Sequence, residues 1–111
     1  MMHLQLQHEL DLEAYLEPSL IALSDGSVRA LNRAASQILN PGASIPSLLD
    51  ICRDQAEAFR AYLNACSSSR QPLVEKVSLD GPAGGTEYRC YGNALVPRRR
   101  DRPATLLLRL F

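Results

Sequence analysis

Few residues in this sequence combine type and spacing in a way that could do chemistry. Cys52 stands beside Arg53, with Gln55 close by. A thiol next to a cation can lose its proton near neutral pH and react with oxidants, provided that it is also exposed. Cys66 and Cys90 complete the cysteine set, and all three sit in apolar-periodic stretches, where a buried and inert thiol is the plainer expectation. The odd count and the lack of a C-x-x-C pair point away from a disulfide framework and toward a reducing compartment, the cytoplasm. His3 and His8 are the only imidazoles, and neither belongs to an H-E-x-x-H motif or a Cys/His cluster. The sequence has no G-x-S-x-G, no P-loop and no G-x-G-x-x-G, and Gly84-Gly85 reads as a turn. The expectation is no catalytic residue and no metal site. Arg98-Arg99-Arg100-Asp101-Arg102, between Pro97 and Pro103, is the one basic run. A solvated loop and a docking site for an acidic partner both fit it. DNA does not, because arginines in one loop lack a recognition helix. Tyr62 and Tyr91 could touch a ligand, but their alternating or helical spacing assigns them to the core.

These residues need a frame to hold them. The chain has 111 residues, which suits one domain, and 12 Lys+Arg balance 12 Asp+Glu. Zero net charge argues against non-specific nucleic-acid binding, and no apolar run nears the roughly 18 residues that span a bilayer. The N-terminus lacks the pattern of a signal peptide. Residues 1–57 carry 8 acids and 3 bases, and residues 58–111 carry 4 acids and 9 bases. The halves should therefore attract within one fold or present opposed faces.

Residues 4–16 are rich in helix formers, with Leu12, Tyr15 and Leu16 on one stripe and Leu6, Leu10 and Ala14 on another, although the Leu4-x-Leu6 and Leu10-x-Leu12 alternations also permit a strand. An apolar run at 20–23, then Asp25-Gly26, then a run at 28–31 predicts a hairpin. Asn32 is placed to cap a helix whose apolar face is Ala34, Ala35, Ile38 and Leu39. Asn40-Pro41-Gly42 would end it. A short helical turn over 45–51 follows. A capping box, Asp54-Gln55-Ala56-Glu57, then opens a helix bearing Phe59, Tyr62, Leu63 and Cys66. Three strands close the chain. The middle one sets Tyr88, Cys90, Gly92, Ala94 and Val96 on one face. The class is α+β: five strands with helices on one face.

Residues 18–39, PSLIALSDGSVRALNRAASQIL, resemble the opening of a PAS domain. There a first strand ends in Asp-Gly, the second ends at Asn, and an Ala-rich helix follows. The short turn at 47–51, the helix at 54–66 and the three closing strands, with Leu95-Val96-Pro97 before the last, match the rest. The resemblance covers residues 18–111 and leaves 1–17 as a preceding amphipathic helix. It implies an antiparallel sheet of order 2-1-5-4-3 and a sensory, dimerising module attached to an output domain. In bacteria that output is most often a sensor histidine kinase of a two-component system. A transcriptional regulator, a cyclic-dinucleotide enzyme and a free-standing interaction domain are the alternatives. The 11 Arg to 1 Lys ratio fits a bacterial source of high GC content. The chain itself is then not an enzyme. A homodimer is expected through the sheet and the helix, with Leu6, Leu10 and Ala14 at the interface.

Haem-binding PAS domains place a His on the long helix, where this chain has Phe59, Tyr62 and Asn64. Flavin photoreceptors of the family carry Cys-Arg where Cys52-Arg53 stands, but Asn does not precede this Cys and no Gln lies on the last strand. Neither haem nor flavin is expected. His8-Glu9 is similar to the start of a kinase phosphoacceptor motif, yet Asp11-Leu12-Glu13 stands where a basic residue and Thr-Pro would follow. Ala30, Ala34, Ile38, Phe59 and Leu63 could line a cavity for a small ligand or fill it with their own side chains. Such a lining has no linear signature.

Overall fold

The Asp25-Gly26 pair turns the chain as its chemistry requires. Gly26 takes φ 98°, a left-handed value that side chains resist, and the Asp25 carboxylate accepts the Ser27 amide at 2.8 Å. The turn joins β1 (Ser19–Leu23) to β2 (Val28–Leu31). The computed structural model describes residues 11–39, 47–52, 55–81 and 84–111. Asn32 caps α1 (Arg33–Leu39), accepting the Ala35 amide at 2.9 Å. Ser47 caps a 3-10 turn, Leu48–Asp50, accepting the Leu49 amide at 3.2 Å. Next comes α2 (Ala56–Cys66), which buries Phe59, Tyr62, Leu63 and Cys66, the stripe that their spacing predicts. Asp54 of the expected capping box lies outside the described residues. Gln55, at the N-cap, makes no cap bond, and its side chain accepts the Ser78 amide at 3.3 Å instead.

The chain closes with β3 (Leu73–Gly81), β4 (Gly84–Val96) and β5 (Thr105–Leu110). The five strands form one antiparallel sheet of order β2-β1-β5-β4-β3, as expected. Leu20, Ala22, Leu106, Leu108 and Leu110 point to the helix side and are buried with Leu39, Leu48 and Leu63. Two register shifts redirect side chains. Ile21 pairs with Ala30 but Ala22 pairs with Val28, so Arg29 is an extra residue on β2. Ala94 pairs with Leu106 but Val96 pairs with Thr105, so Leu95 is an extra residue on β4. This corrects the single-face reading of β4: Val96 leaves the face of Cys90, Gly92 and Ala94 and is 44% exposed.

The expected helix over 4–16 falls mostly on residues outside the described set. Its described part is one 3-10 turn, Leu12–Ala14, and Tyr15 is already extended, with φ −84° and ψ 133°. The physical reason is Asn32. Its amide nitrogen donates to the carbonyls of Leu12, Tyr15 and Glu17 at 3.1, 3.3 and 2.9 Å, and its oxygen accepts the Ser19 amide at 3.0 Å. These bonds gather the carbonyls of Leu12, Tyr15 and Glu17 around one buried side chain, and Tyr15 leaves the helical conformation there. The two oppositely charged halves meet at one described ion pair, Glu17 with Arg109 at 3.2 Å. No helix among the described residues is long and apolar enough to cross a membrane.

Candidate functional site

Two surfaces of the sheet could carry function, and they differ in kind. On the helix side, α2 comes down onto β3 and β4. The Tyr62 hydroxyl lies 2.7 Å from the Leu73 carbonyl and 3.1 Å from the Cys90 carbonyl, so it can donate to either. The approach depends on Gly92. A Cβ there would stand 2.6 Å from Leu108 Cδ2, 2.7 Å from the Tyr62 hydroxyl and 3.0 Å from Cys66 Sγ. Glycine inside a strand often marks such a close approach. Phe59 stacks beside Tyr62 with centroids 5.9 Å apart. Burial holds the Tyr62 hydroxyl far above its ordinary pKa. Burial likewise raises the Cys66 thiol and pushes Cys90 up to about 12.

Cys52 follows the same rule. It is buried, its thiol donates to the Leu49 carbonyl at 3.4 Å, and burial raises its pKa. A protonated, enclosed thiol lacks both conditions for a redox sensor. All three cysteines are therefore core residues.

The five candidate cavity residues do not converge. Phe59 and Leu63 share the buried face of α2. Ile38 packs against the same core from α1, and Ala34 is half-buried on that helix. Ala30 pairs with Ile21, one step out of phase with the core pair Leu20 and Leu31, so it stands on the opposite face of the sheet. Phe59 also borders a groove of about 170 Å³ with Gln55, Ala58, Glu75, Lys76 and Val77, which the other four do not reach.

On the outer side, Ser19, Arg109, Tyr91 and Val74 form one cross-strand row, and Ile21, Leu107 and Asn93 form the next. Arg109 sits 5.6 Å from the Tyr15 ring centroid and 5.5 Å from that of Phe111, while its guanidinium pairs with Glu17. Phe111 meets Tyr91 edge to face at 5.1 Å. Val74 is 50% and Phe111 56% exposed. A solvated sheet face is usually polar, so this one is unusual. Ala14, from the expected dimer contact, is exposed, and Leu6 and Leu10 lie outside the described residues. Sequence reasoning missed the outer aromatic group. Its signal was the unbroken apolar run Leu106-Leu107-Leu108 on β5, since a strand apolar on both faces is covered on both.

No protein-family model matches the sequence, and none of the curated proteins does. Solved structures do resemble it. The PAS domain of an HTR-like protein from Haloarcula marismortui aligns over 99% of this chain and 93% of its own, with 12% identity and TM-score 0.63. A domain of a sensory box sensor histidine kinase/response regulator from Geobacter sulfurreducens aligns over 98% and 96%, with 15% identity and TM-score 0.65. The RpfR quorum-sensing receptor PAS domain from Cronobacter turicensis, solved in complex with C12:0, aligns over 87% and 95%, with 9% identity and TM-score 0.63. What these likenesses establish is the architecture: the chain has the PAS fold.

Proposed function

We propose that this PAS-fold chain is a dimerising sensory domain, cytoplasmic and without catalytic residues or cofactor of its own, that passes a signal to an attached output domain. The output we favour is a sensor histidine kinase of a bacterial two-component system. The observation that carries the reading is the outer sheet face. Tyr91, Phe111 and Val74 make an apolar and aromatic group around Arg109, and Lys76, Glu87 and Arg89 form a charged margin. Aromatic and arginine centres with polar rims are the anatomy of protein interfaces. A second copy related by a two-fold axis would bring the same group against itself. The signal then acts by favouring one arrangement of the two subunits over another. The Geobacter neighbour comes from a sensor histidine kinase, which supports the choice of output.

Sedimentation velocity tests the interface. The unmodified chain should sediment as a dimer. Val74→Asp with Phe111→Asp should shift it to a monomer at the same concentration while its circular dichroism stays that of the folded chain, since both side chains are about half exposed. A double variant that keeps the dimer mass would remove the outer face from the proposal.

A further inference from the structure

The basic run forms part of a built groove. Its base is fixed: the Ser24 amide donates to the Ala104 carbonyl at 2.9 Å, and the Ala104 amide donates to the Ser24 hydroxyl at 3.0 Å. Its tip is fixed as well, because Arg99 and Arg102 exchange backbone hydrogen bonds at 3.1 and 3.3 Å, which leaves only Arg100 and Asp101 in the turn. The flank is tied to α2 by a hydrogen bond from the Arg98 guanidinium to the Asn64 side-chain oxygen. Between the β1–β2 turn, α2 and this loop lies an open cavity of about 610 Å³.

The charges around it do not cancel. Arg60 joins Arg98, Arg99, Arg100 and Arg102, against Asp25 and Asp101. Asp25 is already occupied by Ser27, whose hydrogen bonds hold its carboxyl below the usual range. The side chains of Arg60, Arg99, Arg100 and Arg102 have no hydrogen-bond or ion-pair partner among the described residues. Guanidinium groups that rise from a fixed loop and a helix around one concavity can converge on one anion. Its volume falls within the range of small-molecule sites, and it is wide open to solvent. Five guanidinium groups spread over a helix and a loop are more than one phosphate can engage.

We propose that this groove binds a small molecule carrying at least two linked phosphate groups, either a nucleoside diphosphate or an inorganic polyphosphate. The site is on the outside of the fold, and it stands or falls independently of dimerisation.

Isothermal titration calorimetry of the whole chain at about 150 mM salt, where weak surface attraction is screened, tests it with pyrophosphate, ADP and orthophosphate. Pyrophosphate should bind saturably, one per chain, and at least about tenfold tighter than orthophosphate. ADP tighter than pyrophosphate would identify a nucleotide as the ligand, and equal affinities an inorganic chain. Arg60→Ala with Arg100→Ala should weaken binding by about tenfold or more. Both side chains are exposed, so the melting temperature should not move. No saturable heat with pyrophosphate or ADP would overturn the proposal. So would undiminished binding in the double variant, or saturation by an acidic peptide or DNA alone. Amide shifts in a pyrophosphate NMR titration should cluster at Ser24, Asn64 and the 98–103 loop, and shifts confined elsewhere would overturn it too.

Discussion

Asn32→Ala should destabilise the domain by about 3 to 5 kcal/mol and free the 11–17 segment from the sheet. The side chain is 1% exposed and lies within hydrogen-bond distance of five backbone groups. Its oxygen takes the Ser19 amide of β1 and the Ala35 amide of α1. Its nitrogen shares two N–H donors among three carbonyls of the N-terminal segment. Alanine removes the helix cap, a loss of about 1 kcal/mol, and strands polar groups that are partly or wholly buried, at about 1 to 3 kcal/mol each. The sum is a large share of the stability of a small domain, typically about 5 to 15 kcal/mol. Urea denaturation reads the energy. Hydrogen exchange reads the place: the Ser19 and Ala35 amides should lose protection before those of β4. A loss below about 1 kcal/mol would mean that the Asn32 network does not hold the N-terminal segment in place.

Gly92→Ala should cost about 3 kcal/mol, and Tyr62→Phe should soften that cost. The new methyl would meet Leu108, the Tyr62 hydroxyl and Cys66, all within 3.0 Å. A closely packed core resists such insertion. Tyr62→Phe alone forfeits the bond to the Leu73 or Cys90 carbonyl, about 1 to 2 kcal/mol. In the double variant one of the three collisions disappears while the Leu108 contact remains. The two effects should therefore sum to less than their separate values by at least about 0.5 kcal/mol. Strict additivity would show that helix and strand do not meet through this hydroxyl.

The residues whose roles are local were readable in advance, and those whose roles are long-range were not. Asp25-Gly26 turns, Asn32 caps α1, and the stripe Phe59, Tyr62, Leu63, Cys66 faces the sheet, because turn chemistry and helical period act within a few residues. That Asn32 also gathers Leu12, Tyr15 and Glu17 depends on a tertiary approach across as many as twenty residues. Alternation assigned Val96 to the core, and the extra residue Leu95 reversed it. Ala30 shows the sharper limit. It lies on the second strand of the expected hairpin, yet one step of phase puts it on the other face from Phe59 and Leu63. Cys52 could be judged only once its enclosure was known. Tyr91 was assigned to the core, and the odd-numbered residues of β5 show where it stands, beside Arg109.

In the dimer we propose, a second copy of the chain covers the apolar outer face. Native mass spectrometry of the purified protein over the micromolar range tests it most directly. The expected species is a dimer, bare or carrying ligand, which disappears when Val74 and Phe111 are both replaced by Asp. A chain that flies as a monomer throughout that range would contradict it.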